Sequence, residues 1–387
     1  MWVRARQVSR RPAHSPSSNR IGGRLFCEEI DGFFVHGGAS VIHESFTSTR
    51  DLAHKMGSLS ITELLASRRT VRNTQMGNKK VQRHHYLPQS YLKGFTSSGT
   101  KDGQMFVMEV ASSRSFRTYP KNVAVERDFN HVEAQGIATD VIEQAWAPLE
   151  QEFAGAIERV VETQTFPGDR DYNIILNFLC LFAVRNPALR NSINQARERG
   201  LRSLAEIFVS DRRVWERQVG KLSRNQEKAK DVSFAEMKLF VHQGDFQFKF
   251  MPIDNLDAEF KAFDSVLPLI GKRIWSLFVA PANGPEFICS DHPVALTAKT
   301  PERKLFGLGS RYTEVFLPLH PRAGFFGVFE DPLTHVVELQ PIQVARLNSR
   351  VAGSAVRHLY SRQREFAILE NGTIRKISCA TRNSYRK

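Results

Sequence analysis

No stretch of this chain is apolar for long enough to cross a bilayer as a helix. The longest apolar run, Ile174 to Val184, is interrupted by Asn177 and falls well short of the ~20 residues a spanning helix needs. Cysteine is scarce. Cys27, Cys180, Cys289 and Cys379 lie far apart and form no C-x-x-C pair, so neither a zinc knuckle nor a thioredoxin-type site is indicated. G-x-S-x-G, P-loop and G-x-G-x-x-G fingerprints are missing, which disfavours α/β-hydrolase, nucleotide triphosphatase and dinucleotide-binding readings. No pair of histidines has the H-E-x-x-H spacing of a helical zinc site, and no repeat recurs at a fixed period.

What is present reads as a globular protein. The chain has 387 residues, 41% hydrophobic and 10% aromatic, with 28 Phe, enough for a sizeable core. A formal net charge of +14 suggests nucleic acid at first sight. Its distribution weakens that reading. Residues 1–83 carry 14 Lys+Arg against 6 Asp+Glu, and the stretch after Glu370 carries five basic residues and no acid. Between them the balance is 35 basic to 34 acidic. The arginines at 185, 190, 197, 199 and 202 can form a local basic groove, but a solvated helix face explains them as well. Cys180 and Cys289 sit in apolar runs as small buried hydrophobes. A reducing, cytoplasmic setting is the expectation.

Residues 1–75 do not share the texture of the rest. Met1 to Arg20 has five Arg, four Ser and no acid, which is how a transit peptide reads, yet Pro12 and Pro16 spoil an amphipathic helix. A disordered extension, or a start at Met76, fits as well, so residues 1–75 are left out of fold reasoning. Residues 76–380 are expected to form a single α+β domain and residues 381–387 a basic tail.

Within that domain, Met105 to Val110 and Ser115 to Tyr119 flank a turn at Ser112-Ser113-Arg114 and predict a β-hairpin. Asp140 with Glu143 three residues on resembles a capping box, and apolar residues from Val141 to Val160 follow a helical period. Pro148 inside that pattern predicts a kink or a break into two helices. Asp169 to Val184 predicts a central apolar helix ended at Asn186-Pro187, with a basic amphipathic helix over 188–209. Phe234 to Gln243 and Asp254 to Leu269 predict further helices, the latter with Phe260 and Phe263 inward. Short strands follow over 274–280, 287–290, 315–317 and 324–329. Pro341 to Tyr360 reads as one helix, and Asn371-Gly372 marks a type I′ turn between two last strands. Helices in the middle and β elements at both ends give an α+β fold: a central helical layer with β-hairpins and short mixed strands from both ends of the domain. Hairpins so small need partners, so the two ends should meet.

The segment Arg83 to Phe95 carries the strongest chemical signal. His84 and His85 precede a short helix, with Pro88 at its first position and Gly94 at its end. Leu87, Tyr91, Leu92 and Phe95 fall at helical spacing and pin it to a core. A helix N-terminus disfavours imidazolium, which keeps the pair neutral, as a base or metal ligand must be. In extended chain the two side chains point opposite ways, so only one faces a given site.

Several segments together resemble a mainly bacterial family known only as a domain of unknown function, family 4238. The opening His-His-Tyr-x-Pro-x-x-Tyr-Leu-x-x-Phe is matched by His84 to Phe95. Further matches are Arg127-Asp128-Phe129-Asn130, Ile142-Glu143, Arg185-Asn186-Pro187, Ser290-Asp291-His292-Pro293-Val294, Pro318-Leu319-His320-Pro321 and Leu347-Asn348. The resemblance covers about residues 80–370 and implies no catalytic role.

Read by their chemistry, these residues give an acid–base site. His84 or His85 is a base or metal ligand. Asp291, leaving an apolar strand before Pro293, orients it or binds metal, and Arg185, at the end of an apolar helix, holds an anion. Glu143, Ser290 and Asn348 are the supporting residues, Asn348 by bonding the loop near Asp291. A divalent metal is a candidate cofactor, with His85, Asp291 and His292 as candidate ligands and His131 or His320 as further donors. The lead expectation is a His/Asp-dependent hydrolase on a phosphoryl substrate. The alternative is a non-catalytic module in which the same residues form a structural knot. A third reading is nucleic-acid binding through the basic ends, with no membrane partner. If that reading holds, removing residues 1–75 and the stretch after Glu370 abolishes salt-sensitive binding to DNA or RNA in a titration; unchanged binding excludes it.

Overall fold

The computed structural model describes residues 83–131, 141–223, 233–300, 306–330 and 335–379. It begins with β1 (Arg83–His85), a one-turn helix α1 (Gln89–Leu92), the hairpin strands β2 (Met105–Glu109) and β3 (Ser115–Thr118), and β4 (Val125–Arg127), which pairs back on β1. Six helices follow: α2 (Val141–Thr163), α3 (Asp169–Val184), α4 (Pro187–Ser210), α5 (Arg212–Ser223), α6 (Phe234–Gln243) and α7 (Pro252–Gly271). The second half contains β5 (Ile274–Val279), β6 (Cys289–Ser290), β7 (Ala295–Ala298), β8 (Thr313–His320), β9 (Ala323–Val328) and β10 (Val336–Glu338). Helix α8 (Pro341–Ser354), β11 (His358–Ser361) and the hairpin β12 (Glu365–Glu370) and β13 (Thr373–Ser378) complete it. The fold is α+β.

A five-stranded sheet, in the order β10-β5-β9-β8-β7, divides the core. Its side chains alternate between two faces, as the pleat requires. Leu277, Val279, Val315, Leu317 and Phe325 join the buried residues of α1, α2, α3 and α7. Phe278, Phe316, Phe326 and Val328 join those of α8 and the terminal hairpin. Both faces are covered, which is why β9 is apolar throughout and fully buried. Trp275 lies flat over Gly327, where a Cβ would come within 2.7 Å of its ring. Tyr91, Phe153, Phe178 and Phe182 fill the helical side, with Phe153 and Phe178 stacked at 4.1 Å.

The ends of the domain do meet. Strand β11 pairs with β2 on one side and β6 on the other, giving a sheet in the order β3-β2-β11-β6. The last hairpin turns at Asn371 and Gly372, both with positive φ, as a type I′ turn demands. Phe260 and Phe263 are buried on α7, and Cys180, Cys289 and Cys379 are buried free thiols.

Five expectations are corrected. Pro148 does not divide α2, which runs on through it as one helix; Pro148 and Gln144, whose carbonyl loses its helical bond, are both exposed, so that carbonyl is open to water. Helix α8 stops at Ser354 rather than Tyr360, and its last predicted residues form β11. Pro88 is the extended residue before α1, not its first helical position. Gly94 has no left-handed φ; the missing side chain lets the His320 ring approach, since a Cβ would stand 3.2 Å from His320 Cδ2. The strand foreseen over 287–290 is confined to Cys289 and Ser290. Asp140, Cys27, residues 1–75 and the 381–387 tail lie outside the described residues.

Among the described residues no single helix is long and apolar enough to cross a membrane; only the pair α3 and α4, bent by 47°, passes such a test by length and composition.

Asn348 is the polar anchor between α8 and the sheets. Its side chain accepts from Ile288 N (3.0 Å) and donates to Glu286 O (2.8 Å) and Ala367 O (2.9 Å). Asn348→Ala leaves three buried backbone groups unpaired and should lower unfolding free energy by about 3 kcal/mol in a denaturant titration. An unchanged midpoint would show that the anchor is dispensable.

Candidate active site

The two histidines part as extended geometry requires. His84 is buried, and its Nδ1 accepts from the Asn130 backbone N–H at 2.9 Å, so in the neutral ring the proton sits on Nε2. His84 thus ties β1 to the turn after β4. His85 is half-buried; its Nε2 lies 3.0 Å from Gln89 Nε2, an amide donor, and its Nδ1 lies beside the Val123 carbonyl, outside good hydrogen-bond geometry. Both rings titrate below the ordinary histidine range. The main cause is burial, with Glu143 pulling the other way. The direction is the expected one, but the cause is desolvation rather than the dipole of a helix only four residues long.

Arg185 follows the last residue of α3, only 4% exposed. Its guanidinium stands over the Trp146 ring at 5.0 Å and the Phe129 ring at 5.7 Å, and Nη2 donates to the His85 carbonyl at 3.4 Å. Burial lowers its pKa, opposed by Glu143, Glu259 and Glu150 in that order. None of these three carboxylates forms an ion pair with it. Glu259 is taken by Arg190 in a bidentate pair at 2.6 and 2.8 Å. Glu143 accepts from the Asn130 side chain; the cap expected with Asp140 falls outside the described residues. Glu150, one helical repeat along α2 from Glu143, is pushed up to about 7, chiefly by burial, with Arg185 opposing and Glu143 reinforcing the shift.

Four fully buried polar atoms here have no hydrogen-bond partner among the described residues: His85 Nδ1, Arg185 Nε, Trp146 Nε1 and Asn130 Oδ1. Buried polar atoms are nearly always paired, and each exception costs about 1–3 kcal/mol. A small cavity of about 10 Å³ adjoins Trp146, Arg185 and Glu259, the size of a single water. Trp146, Asn130 and Glu150 were not foreseen as site residues. The Arg-Asp-Phe-Asn match and the helical register of Glu143, Trp146 and Glu150 were their only signals.

Asp291 is elsewhere. Both its carboxylate oxygens accept backbone N–H bonds, from Val356 at 3.0 Å and Arg357 at 2.8 Å. Its own N–H donates to His358 O. It makes no hydrogen bond to His84 or His85, so its expected role in orienting them has no geometric basis. Its charge acts instead on Tyr86, Tyr360, His292 and His358. Ser290 Oγ accepts from His292 N at 3.2 Å, tightening the same turn. Asn348 bonds Ile288 N and Glu286 O, in the irregular segment just before β6 and Asp291. The expected metal site is not assembled: among the described residues no three His, Cys, Asp or Glu side chains converge to hold a metal ion. The two neighbourhoods are adjacent all the same. Asn186 and Pro187, following Arg185, line a cavity of about 40 Å³ with Asp291 and His292.

An α+β core carrying a buried histidine–carboxylate–arginine cluster is the class of protein these features define. The chain belongs to the family described as protein of unknown function (DUF4238), whose model matches residues 83–365. No curated protein and no solved structure matches it.

Five histidines (His84, His85, His292, His320 and His358) have lowered pKa values, His320 to about 4, all with burial as the main cause. Since the unfolded chain binds protons more readily than the folded one, stability is held above about pH 6.5 and falls as pH drops through the depressed values. These histidines should pull the melting temperature down from pH 7 to pH 5, against the opposite pull of Glu150 over the same range. His84→Asn, which retains an acceptor for Asn130 N–H but cannot titrate, should flatten that decline; an equal slope in the variant would contradict the assignment.

Proposed function

We propose that the chain is a hydrolase acting on a phosphoryl substrate, with Arg185 holding the anion and His85 and Glu150 moving protons. The observation that carries this reading is the buried Arg185 guanidinium, which retains an unpaired Nε while three carboxylates stand near it without pairing. Such a cation is the group of choice for phosphate oxygens, and the reading requires the residues around the water-sized cavity beside Arg185 to part for the substrate. Neutral His85 is fit to take the proton of an attacking water through Nε2 once Gln89 yields. Glu150, protonated near neutrality, is fit to give a proton to the leaving oxygen as the phosphorus–oxygen bond breaks. Glu143 and Asn130 fix the cluster, and the reading now rests on glutamates rather than on Asp291. A cytoplasmic setting belongs to the same proposal, supported by the buried free thiols.

A second reading is favoured for the Ser-Asp-x-Pro segment by one observation: backbone amides occupy both oxygens of Asp291. On this reading Asp291 is a structural clasp, and Asp291→Ala lowers the melting temperature without touching chemistry. The nucleic-acid reading rests on termini outside the described residues.

Phosphate release from phenyl phosphate and p-nitrophenyl phosphate tests the proposal. The rate with phenyl phosphate should fall as pH rises through about 7, where Glu150 loses its proton. Glu150→Gln should remove that limb and lower kcat about 100-fold or more. The loss should be smaller for the nitrophenyl ester, whose leaving group needs no proton. No release from either ester, or full activity in the combined variant His85→Gln, Glu150→Gln, would sink the proposal.

A further inference from the structure

Seven of the fourteen large hydrophobic side chains that are exposed among the described residues fall between positions 201 and 251. They belong to an arm formed by the far half of α4, α5, α6 and the extended segment 244–251. Helix α6 has no buried residue. Leu204 and Phe240 are 48% exposed, Ile207 56% and Leu239 60%, with Phe208 also open. Together these five leave on the order of 500 Å² of apolar surface, more than half of what one partner contributes to a standard interface.

The segment after α6 has strand texture without a strand partner. From Asp245 to Phe250 exposed and half-buried residues alternate, with Phe246, Phe248 and Phe250 turned inward. Phe246 stacks on Phe240 at 5.0 Å, and Arg202 stands over the Phe246 ring at 4.6 Å. On that inner side Arg202 Nη2 donates to the Phe246 carbonyl at 2.6 Å. No backbone hydrogen bond ties Asp245, Gln247 or Lys249 to any described residue. In extended chain the N–H and C=O of a residue point to one edge and those of its neighbours to the other. With the Phe246 carbonyl turned to α4, the groups of Asp245, Gln247 and Lys249 form a bare edge facing outward. Natural proteins rarely leave such an edge uncovered.

We propose that a second copy of this chain covers it, the two segments pairing antiparallel about a two-fold axis at Gln247. The local sequence Asp245-Phe246-Gln247-Phe248-Lys249 is self-complementary under that axis. Gln247 meets Gln247, Phe246 meets Phe248, and Asp245 of each copy faces Lys249 of the other, twice. The bare edge has the phase this register needs, because Asp245, Gln247 and Lys249 are then the three residues exchanging paired bonds. A two-fold contact requires self-complementarity of this kind, and opposite charges directly across a ladder stabilise it while like charges oppose it. The same closure draws the arm's exposed apolar residues toward the partner.

The test uses the full chain in sedimentation equilibrium. A dimer is expected. Asp245→Lys or Lys249→Asp, each at an exposed position, places like charges across both positions and should raise the dimer Kd about tenfold or more. The double variant Asp245→Lys, Lys249→Asp restores opposite charges and should return Kd to near the wild-type value. Gln247→Cys places two thiols on the axis, at a Cα separation of ~5.5 Å that a disulfide accepts, and should cross-link on mild oxidation. A monomer at micromolar concentrations, a dimer indifferent to the single reversals, or a failure of the double variant to recover would each overturn the proposal.

Discussion

A guanidinium buried at the end of the most apolar helix is the constraint around which the rest of this structure is arranged. Removing Arg185 from water is costly unless its charge is answered. The answer here is diffuse: two aromatic faces, one backbone carbonyl, and three carboxylates that act at a distance. Those groups come from four separate parts of the chain. Phe129 follows β4, Trp146, Glu143 and Glu150 ride on α2, Glu259 comes from α7, and the carbonyl belongs to His85. The histidine segment is therefore positioned by the arginine as much as by its own short helix. The neighbouring ion pair of Arg190 and Glu259 is fully made, so the incomplete pairing of Arg185 is not a general looseness of this core.

The Ser-Asp-x-Pro segment solves a different problem. The chain leaving α8 must turn sharply to deliver β11 between β2 and β6. The Asp291 carboxylate takes the N–H groups of Val356 and Arg357 at that turn. Asn348 and the Ser349 hydroxyl, which bonds Leu369 at both its carbonyl and its N–H, hold α8 to the terminal hairpin. The result closes the two ends of the domain on one another and places the turn beside Asn186 and Pro187, against the end of the arginine-bearing helix.

Much of this was legible in the sequence where local physics decides. The helices at 169–184, 187–210 and 234–243, the alternation of His84 and His85, and the Asn-Gly turn follow from periodicity, extended geometry and positive φ. Elsewhere distant contacts decided. Nothing local stops a helix at Ser354; Asp291, some 65 residues earlier, catches the amides of Val356 and Arg357 just beyond it. Nothing local says that Pro148 is harmless, because that depends on which way Gln144 faces. The candidate site was half legible for the same reason. Arg185 stood out as a charge at the end of an apolar helix and Glu143 through its place in a capping-box pattern, whereas Glu150 acquires its character only from burial beside them. Asp291 looked catalytic because a strand exit is a common place for such a group, and the same position suits a clasp.

The central claim is that Arg185 is retained for an anionic ligand and not for stability. Arg185→Met fills the space without a charge, and replacing a buried charge with an apolar side chain of similar volume is often neutral or stabilising. Thermal unfolding of wild type and variant, with and without inorganic phosphate, separates the two roles. The account predicts that phosphate raises the wild-type melting temperature, and that Arg185→Met keeps the unliganded melting temperature while losing the response to phosphate. A variant that melts many degrees lower yet still responds to phosphate as wild type does would contradict it.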